Sequence, residues 1–309
     1  GPLTSLSTVR VDVMGALVSF ERVFEVLDLE PMVKDRSNAM DLVTKAPMIE
    51  FKDVRFSYPK AAEISLASLE SAARPEMAES GEILRGISFI APPGSMTALV
   101  GPSGAGKSTL SRQLIGILAP STGAVRLDGA DVSKWNRDLL GRYIGYLPQD
   151  IELFDDTVAA NISRFRTESD AEVIEAARLA GVHEMILRLP SGYETQIGDN
   201  SAVLSGGYRQ RIGLARAVFG NPSLVVLDEP SSNLDTDGDI ALLACLTDLK
   251  RRGAAVVIIS HGTNTLGVVD RLLVLKDGAA EISGPRDEVI ARVTKLTKPF
   301  RNVANPLSA

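Results

Sequence analysis

Cysteine is almost absent from this sequence, since Cys245 is the only one among 309 residues. A single cysteine cannot form a disulfide within its own chain, so we expect the fold to be held by its core, in a reducing compartment. Hydrophobic residues make up 45% of the chain, which is ample material for such a core. Cys245 is therefore interpreted as a small apolar core residue rather than as a reactive thiol.

An excess of basic residues and long apolar runs are also lacking. The chain has 33 Lys and Arg against 39 Asp and Glu, a net charge of -6, so composition gives no support to a sequence-independent contact with nucleic acid. No stretch approaches the roughly 18 consecutive apolar residues of a membrane helix, and the N terminus has no basic-then-apolar signal pattern. We therefore expect a soluble chain that neither spans a membrane nor is exported.

The first 46 residues differ in character from the rest. The initial Gly-Pro, with no methionine before it, looks like the remnant of a cleaved tag, which implies that the chain was cut from something longer. Apolar residues at helical spacing over 9–27 predict an amphipathic helix, and the polar residues 31–46 predict a linker. Short β-like runs follow, so we expect the main domain to start at about residue 47.

Strand-like and helix-like segments alternate along that domain. An Ala-, Ser- and Glu-rich stretch at 60–82 separates the first strands, 49–51 and 54–58, from the next at 83–90, and it is interpreted as an inserted surface loop. Beyond it, periodicity and turn residues predict further alternating elements at 96–100, 107–118, 206–218, 224–227, 238–251 and 255–260. Such alternation predicts an α/β fold with a largely parallel sheet flanked by helices.

A glycine-rich turn separates the predicted strand 96–100 from the helix after it. The turn fits the phosphate-loop pattern G-x-x-x-x-G-K-[ST] in the required strand–loop–helix context, with Gly101, Pro102, Ser103, Gly104, Ala105, Gly106, Lys107, Ser108 and Thr109. Its glycines let backbone N–H groups close around phosphates at a helix N terminus. Lys107 adds a positive charge there, and the Ser108 hydroxyl can ligate Mg²⁺.

Two carboxylates, Asp228 and Glu229, follow the apolar strand 224–227. They lie at its carboxyl end, which is where open α/β sheets place their ligands. An acidic pair after a strand is often only a solvated turn, but the phosphate loop upstream favours a functional interpretation. Asp228 is then expected to hold the metal, usually through water, and Glu229 to polarise the attacking water as a general base.

One further segment makes the resemblance to a family specific. It resembles the signature sequence that defines ABC ATPases, and it reads Leu204, Ser205, Gly206, Gly207, Tyr208, Arg209 and Gln210. The resemblance covers roughly residues 47–300. It implies a phosphate-loop NTPase core, an antiparallel β subdomain and an inserted helical subdomain at about 150–218, with 301–309 as a tail. It also implies an ATP-hydrolysing dimer, because in the family the signature faces the nucleotide of a second copy.

Other positions acquire roles through this resemblance, residue by residue. Tyr58 resembles the aromatic that stacks on adenine, although a tyrosine at a strand end can be purely structural. Gln149 resembles the glutamine that reaches the metal and the attacking water, alongside Ser108 and Asp228 as metal-site residues. Asp235 lies in a segment similar to the loop that signals across the dimer. His261 resembles the histidine that contacts the γ-phosphate, so Glu229, His261, Gln149 and Lys107 form the expected catalytic set.

The sequence departs from the family pattern at three positions. Tyr208 stands where the signature usually has Gln, Asn233 where the signalling loop usually has Ala, and Gly262 where Arg often follows the histidine. These departures put hydrolysis rate and dimer coupling in doubt. The only other histidine, His183, lies in a predicted helical region without an evident partner, so a structural role is expected for it.

The type of ABC protein is indicated by segments outside the ATP motifs. The helix ending at Asp28 resembles the tail that joins a transmembrane domain to the motor in exporters, and residues 195–199 are similar to the exporter segment that touches coupling helices. Residues 144–154 and 284–289 look like the ATPases of type I protein secretion, whereas the first 60 residues and the insert resemble half-size drug or lipid exporters. An importer ATPase is the less favoured alternative.

Partners and location follow from the exporter resemblance. It implies a second nucleotide-binding domain, in a homodimer or a heterodimer, and a transmembrane domain of the same polypeptide. It also implies that the ATPase lies at the cytoplasmic face of the inner (plasma) membrane. A periplasmic adaptor and an outer-membrane channel would be added in type I secretion. The sequence argues against two other classes of protein. DNA-repair ATPases usually carry coiled coils or zinc modules, and this chain has neither sustained heptads nor paired cysteines. Lys107, Glu229 and His261 argue against a non-hydrolysing regulator.

Overall fold

The computed structural model describes residues 48–58, 81–166, 170–198, 204–260 and 263–297, and residues 14, 15, 18–20, 22–24 and 27 nearer the N terminus. The chain divides into two compact units, Gly1–Arg36 and Ser37–Ala309. In the first unit every described residue is helical, as the periodicity of 9–27 predicts. The predicted linker at 31–46, most of the insert at 60–82, and the tail at 301–309 lie outside the described residues.

One sheet of the second unit is antiparallel. It contains β1 (Ile49–Phe56), β2 (Leu84–Ala91), β4 (Thr122–Leu127) and β5 (Ala130–Asp131), in the order β2-β1-β4-β5. The sequence predicts two short strands where β1 is one, and the difference is due to a bulge. Asp53 has a φ of 44° and the register shifts between Phe51 and Val54, but pairing with β2 resumes afterwards, so the strand continues.

A second sheet forms the centre of this unit. It contains β3 (Met96–Val100), β6 (Ile144–Leu147), β9 (Leu224–Asp228), β10 (Ala255–Ile259), β11 (Arg271–Lys276) and β12 (Ala279–Pro285), in the order β12-β11-β3-β10-β9-β6. Neighbouring strands are parallel except for β11 and β12, which are antiparallel. Every residue of β9 and β10 is buried, and successive residues of β9 belong to different core clusters, so the sheet has apolar packing on both faces.

Helices cover the faces of this sheet and fill the segment between β6 and β9. The described helices are α1 (Lys107–Leu114), α2 (Arg137–Tyr143), α3 (Val158–Ser163), α4 (Asp170–Leu179), α5 (His183–Leu187), α6 (Gly206–Val218), α7 (Thr236–Arg251), α8 (Thr263–Val268) and α9 (Arg286–Thr297). A small sheet of β7 (Asp156–Thr157) and β8 (Gln196–Ile197) accompanies α3 to α6. Within the described ranges, no helix has the length and apolar character needed to cross a membrane.

Helix α1 is shorter than the sequence predicts. The apolar pattern continues to Leu118, but the helix ends at Leu114. The chain leaves helical geometry because Gly116 takes a φ of 75°, and the N–H groups of Ile117 and Leu118 both donate to the carbonyl of Arg112. Ile115 and Leu118 therefore continue the core contact without continuing the helix, while Ile117 is exposed.

Two residues singled out in the sequence take structural positions. Cys245 is fully buried in α7, and burial raises the pKa of its thiol to about 12, which fits a core residue. The expectation that His183 has no partner is wrong, because its Nδ1 lies 2.8 Å from the hydroxyl of Tyr193. The partner lies beyond the end of α5, where no local pattern in the sequence announces it.

The parallel strands determine where the loops of interest meet. Strands β3, β10, β9 and β6 are consecutive neighbours and run in one direction. Their carboxyl ends therefore lie along one edge of the sheet, the edge at which ligands bind in open α/β folds. The phosphate loop follows β3, Asp228 ends β9, and Gln149 follows β6 at this edge.

Candidate nucleotide-binding site

The phosphate loop connects β3 to α1 and has the backbone geometry of a tight cradle. Gly104 and Gly106 have φ values of 78° and 93°, in the left-handed region that favours glycine. A Cβ atom at Gly106 would come within 2.6 Å of Leu84 Cδ2, so α1 could not start so close to β2 with any other residue. At Gly104 a Cβ atom would meet nothing within 4 Å, which leaves the open side of the loop free of protein.

Lys107 begins α1 and folds its side chain back along the loop. Its Nζ donates hydrogen bonds of 2.8 and 2.9 Å to the carbonyl oxygens of Gly101 and Pro102. Burial lowers the pKa of the ammonium, and the nearby carboxylates of Glu229 and Asp228 oppose that shift. The charge is therefore held within the loop and faces two acids.

Asp228 is the last residue of β9 and is only 3% exposed. Burial raises the pKa of its carboxyl group, while a hydrogen bond with the Ser108 side chain lowers it. Ser108 is the second residue of α1, so this contact joins the phosphate loop to the carboxyl end of β9. A hydroxyl and a carboxylate that line the same cavity are a suitable oxygen pair for Mg²⁺.

Glu229 is half-buried directly after β9 and has an unusual backbone. Its φ is 52°, although it is neither glycine nor asparagine and precedes Pro230. Its N–H donates to the carbonyl of Ile259 at 2.9 Å, which continues the pairing of β9 with β10 by one residue. The chain thus leaves the strand at Glu229 by a sharp, constrained turn.

A cavity of about 400 Å³, which we call the phosphate cavity, brings residues of the phosphate loop together with Gln149 and both predicted carboxylates. Its lining consists of Ile83, Ser103, Gly104, Gly106, Lys107, Ser108, Thr109, Gln149, Asp228, Glu229 and Ile259. Gln149 is exposed and comes from the loop after β6, so three separate strand ends contribute to one space. The cavity therefore combines a positive charge, a hydroxyl, an amide and two carboxylates.

Tyr58 is not among the residues that line this cavity, and neither are Gly101, Pro102 and Ala105 of the phosphate loop. Tyr58 follows β1, meets the ring of Phe56 edge-on at 4.9 Å, and has its hydroxyl 3.5 Å from Nη1 of Arg112 in α1. His261 lies outside the described residues. Ser260, the residue before it, is buried next to the end of β10, whose last residue pairs with Asp228.

The signature sequence forms the start of α6, away from the cavity of its own chain. Ser205 is the N-cap residue, and its Oγ accepts a hydrogen bond of 3.4 Å from the N–H of Tyr208. Ser205 and Gly206 are exposed, and Gly207 lies against the turn after β9, where a Cβ atom would be 3.2 Å from the carbonyl oxygen of Asn233. None of Leu204–Tyr208 is among the cavity-lining residues.

Asp235 caps the next helix and contacts the signature helix. Its Oδ1 accepts hydrogen bonds from the N–H of Gly238 at 2.8 Å and from Nη2 of Arg211 at 2.5 Å. The Gly238 bond lowers the pKa of the Asp235 carboxyl group, burial opposes that shift, and the Arg211 contact lowers the pKa further. Sequence reasoning missed Arg211 and gave its neighbour Gln210 no role of its own, although both are buried. Polar side chains on the apolar face of a predicted helix were the signal that could have identified these contacts.

A second cavity, of about 480 Å³, lies beside Gln149. Pro148 and Asp150, which flank that residue, belong to its lining, together with Ile144, Tyr146, Glu152, Phe154, Arg164, Phe165 and Arg216. The rings of Phe154 and Phe165 meet edge-on at 5.3 Å and are 57% and 53% exposed. This surface, which we call the aromatic groove, is apolar and open next to the phosphate cavity.

The family is shown by comparison with known proteins. Residues 84–232, which include the phosphate loop, the signature and both carboxylates, match the family model described as ABC transporter. The chain belongs to this family and contains its ATP-binding domain, and the two sheets with their helices are the ABC ATPase fold. The resemblance carried by the signature sequence and the predicted fold class are thereby confirmed.

Particular relatives include exporters of two kinds. The type I secretion system ATP-binding protein PrsD of Rhizobium meliloti (strain 1021) is 44% identical over 214 residues, 69% of this chain and 37% of that protein. ATP-binding cassette sub-family B member 6 of Mus musculus is 38% identical over 292 residues, 94% of this chain and 32% of that protein. A solved structure of a bacterial Atm1-family ABC exporter with ATP bound has a TM-score of 0.77 and 33% identity, over 94% of this chain and 48% of that one.

The chain therefore spans about a third of the length of these two curated relatives.

Proposed function

We propose that this chain binds and hydrolyses ATP and that it is the motor domain of an ABC exporter. The observation that supports this most directly is the convergence of Lys107, Ser108, Gln149 and both carboxylates on one cavity at the edge of a parallel sheet. Phosphoryl transfer needs little beyond positioning and charge stabilisation, and these groups supply both. The matching family supports the same chemistry.

The residues fit a nucleotide and Mg²⁺. The cradle at Gly106 admits no side chain, and the open side at Gly104 leaves room for phosphate oxygens against backbone N–H groups. Ser108, Gln149 and Asp228 offer the oxygen ligands that Mg²⁺ prefers, with the remaining positions left to phosphate and water. Mg²⁺, when bound, would neutralise charge on the β- and γ-phosphates.

The remaining chemistry is assigned to residues of the chain. Glu229 accepts the proton of the attacking water, Gln149 orients that water, and Lys107 leaves its loop carbonyls to hold the phosphates. His261 is proposed to contact the γ-phosphate, on the basis of the family resemblance alone. Tyr58 is proposed to stack on adenine from the end of β1.

A second copy is required by the same proposal. The signature residues Leu204–Tyr208 do not line the cavity of their own chain, yet Ser205 and Gly206 are exposed at a helix start. We propose that they contact the nucleotide held by a partner, with Asp235 and its loop between the two sites. Similarity to half-transporter exporters supports such a dimer.

The full protein is proposed to include a transmembrane domain, with the ATPase at the cytoplasmic face of the membrane. The aromatic groove, beside Gln149, is the surface on which it would dock. Residues 1–46 would be the connection, 47–300 the ATPase with its helical part at about 150–218, and 301–309 a tail. The 44% identity to PrsD favours protein or peptide export of the type I secretion kind. An adaptor and an outer-membrane channel are proposed only as the partners that this kind of export would need. A half-size exporter is the second candidate, favoured by matches that extend over 94% of the chain.

The assignment of Glu229 is tested by Glu229→Gln in the purified chain with Mg²⁺ and ATP. Loss of a general base should lower turnover by on the order of a hundredfold or more. ATP binding, measured with a fluorescent analogue, should be retained. Glu281→Gln, at an exposed residue of β12, is the matched control and should hydrolyse ATP as the wild type does. Undiminished hydrolysis in Glu229→Gln would overturn the assignment.

A further inference from the structure

Gln210 connects the signature helix to the backbone of Glu229. It lies in the second turn of α6 and is 1% exposed. Its Nε2 donates hydrogen bonds to the carbonyl oxygens of Pro230, at 2.9 Å, and of Glu229, at 3.4 Å. Its Oε1 has no partner within the described part of the chain, so the polar contacts of this buried side chain are directed at the turn after β9.

That turn is held in a conformation that the local sequence disfavours. A φ of 52° is uncommon for glutamate, and a residue before proline is normally extended. Such a conformation persists only where the surroundings fix it. The N–H of Glu229 is fixed by the carbonyl of Ile259, and the two carbonyls that follow are fixed by Gln210.

We propose that Gln210 is a positioning residue for hydrolysis: it holds the Glu229–Pro230 backbone so that the Glu229 carboxylate faces the phosphate cavity. This inference rests on the proposed role of Glu229 as general base. Helix α6 starts directly after Ser205, one of the residues proposed to contact a partner's nucleotide. The side chain of Gln210 therefore connects that helix directly to Glu229, the base that acts on the chain's own nucleotide. A shift of the signature helix therefore reaches Glu229 through Gln210.

The test replaces the amide by an apolar side chain of similar size. Gln210→Met removes both donated hydrogen bonds, and kcat for ATP should fall by on the order of tenfold, the effect of losing about one net hydrogen bond's free energy from the transition state. KM for ATP should be unchanged, because no phosphate contact is removed. Gln113→Met is the matched control, since Gln113 is also 1% exposed and neither its Nε2 nor its Oε1 has a partner among the described residues. It should keep the wild-type kcat.

A second background separates this inference from the function on which it rests. Glu229→Gln alone tests the general base, and full activity there would overturn both proposals. If Glu229→Gln is slow as expected, adding Gln210→Met should cause no further loss in single-turnover hydrolysis, because the residue acts through Glu229. An undiminished tenfold effect in that background would overturn the positioning role and leave the function intact.

Hydrogen exchange provides a readout that does not depend on turnover. In Gln210→Met, the amides of Glu229 and of residues 231–233 should exchange faster than in the wild type, while those of β3 and β10 do not change. Gln210→Asn keeps the amide but draws it back by one methylene, and it should give the same local effect while the side chain remains polar. Wild-type exchange at these backbone amides in both variants would overturn the proposal.

Discussion

Nη2 of Arg211, in the signature helix, donates a hydrogen bond of 2.5 Å to Oδ1 of Asp235, the residue that caps α7. The same oxygen accepts the N–H of Gly238 at 2.8 Å. The side chain of Arg211 is 11% exposed, so the guanidinium lacks water as a substitute partner. One carboxylate therefore fixes the start of α7 and satisfies a buried cation from α6.

We expect this carboxylate to make stability depend on acidity. The Gly238 and Arg211 contacts lower the pKa of Asp235 in the folded chain. Its contribution to the free energy of unfolding is therefore complete above the unfolded pKa of about 3.9, and it is lost as the pH falls through the lower folded pKa. Urea midpoints measured between pH 6 and pH 3 should fall below about pH 4. Asp235→Asn should be less stable at neutral pH and should show a shallower acid decline. The same decline in both proteins would contradict this.

Asp228 should behave in the opposite way. Burial raises the pKa of its carboxyl group, so folding with this group ionised costs free energy. The cost is absent below the pKa of the unfolded chain and complete above the raised pKa of the folded chain. Asp228→Asn should therefore raise the melting temperature at pH 7, measured without nucleotide or Mg²⁺, while Mg²⁺-dependent hydrolysis is lost. Asp150→Asn, at an exposed carboxylate, should leave the melting temperature unchanged. A lower melting temperature in Asp228→Asn would show that its hydrogen bond with Ser108 outweighs desolvation.

Arg164 is expected to be a major contributor to stability. It and Phe165 have φ values of 57° and 58°, and its guanidinium donates to the carbonyls of Gly141, Ile144, Arg216 and Ala217 at 2.8 to 3.2 Å. These contacts join α3 to the end of α6 and to β6. Arg164→Met would leave buried acceptors unpaired, and we expect a loss of about 3 kcal/mol in the free energy of unfolding.

Urea denaturation measures this loss, with Arg142→Met as the control because Arg142 is exposed in the last turn of α2. Arg164→Lys should recover little, since an ammonium cannot reproduce the planar fork that reaches carbonyls in several directions. Variants at 164 and 142 with equal stability would mean that the four hydrogen bonds contribute nothing beyond what water supplies.

Local signals explain which parts of this architecture could be read from the sequence. Strand 96–100 and helix 206–218 have the predicted bounds, because an apolar run between turn residues and a Ser N-cap act over a few residues. The end of α1 and the single strand β1 were missed because Gly116 and Asp53 act through backbone geometry rather than pattern. The residues that line the phosphate cavity were predicted as motifs, and their meeting in one space follows from the order of the parallel strands.

Contacts made by buried polar side chains were not predictable in this way. Gln210 and Arg211 are adjacent in α6, but one reaches the turn after β9 and the other reaches the cap of α7. Each contact joins positions about 20 residues apart along the chain, so periodicity carries no information about it. Only the packing of α6 against the strand end decides which partner each side chain finds.

Complementation of two inactive variants tests the proposed dimer. Lys107→Ala disables the phosphate loop, and Ser205→Arg blocks the signature at its N-cap, so each variant alone should have no Mg²⁺-dependent ATPase activity. If a site combines the loop of one copy with the signature of the other, a mixed dimer contains one site with both groups intact. Mixing the two variants should therefore restore activity, which would be measured as phosphate release against protein concentration.

The concentration dependence makes the same test quantitative. Dimer formation from this chain has to overcome lost translational freedom through nucleotide contacts alone, so specific activity of the wild type should rise with protein concentration and level off. The mixture should follow a curve of the same shape with a lower plateau. Two copies of Lys107→Ala, or two of Ser205→Arg, should stay inactive at every concentration. Activity per molecule that is constant across dilution, with no recovery on mixing, would mean that one chain completes its own site.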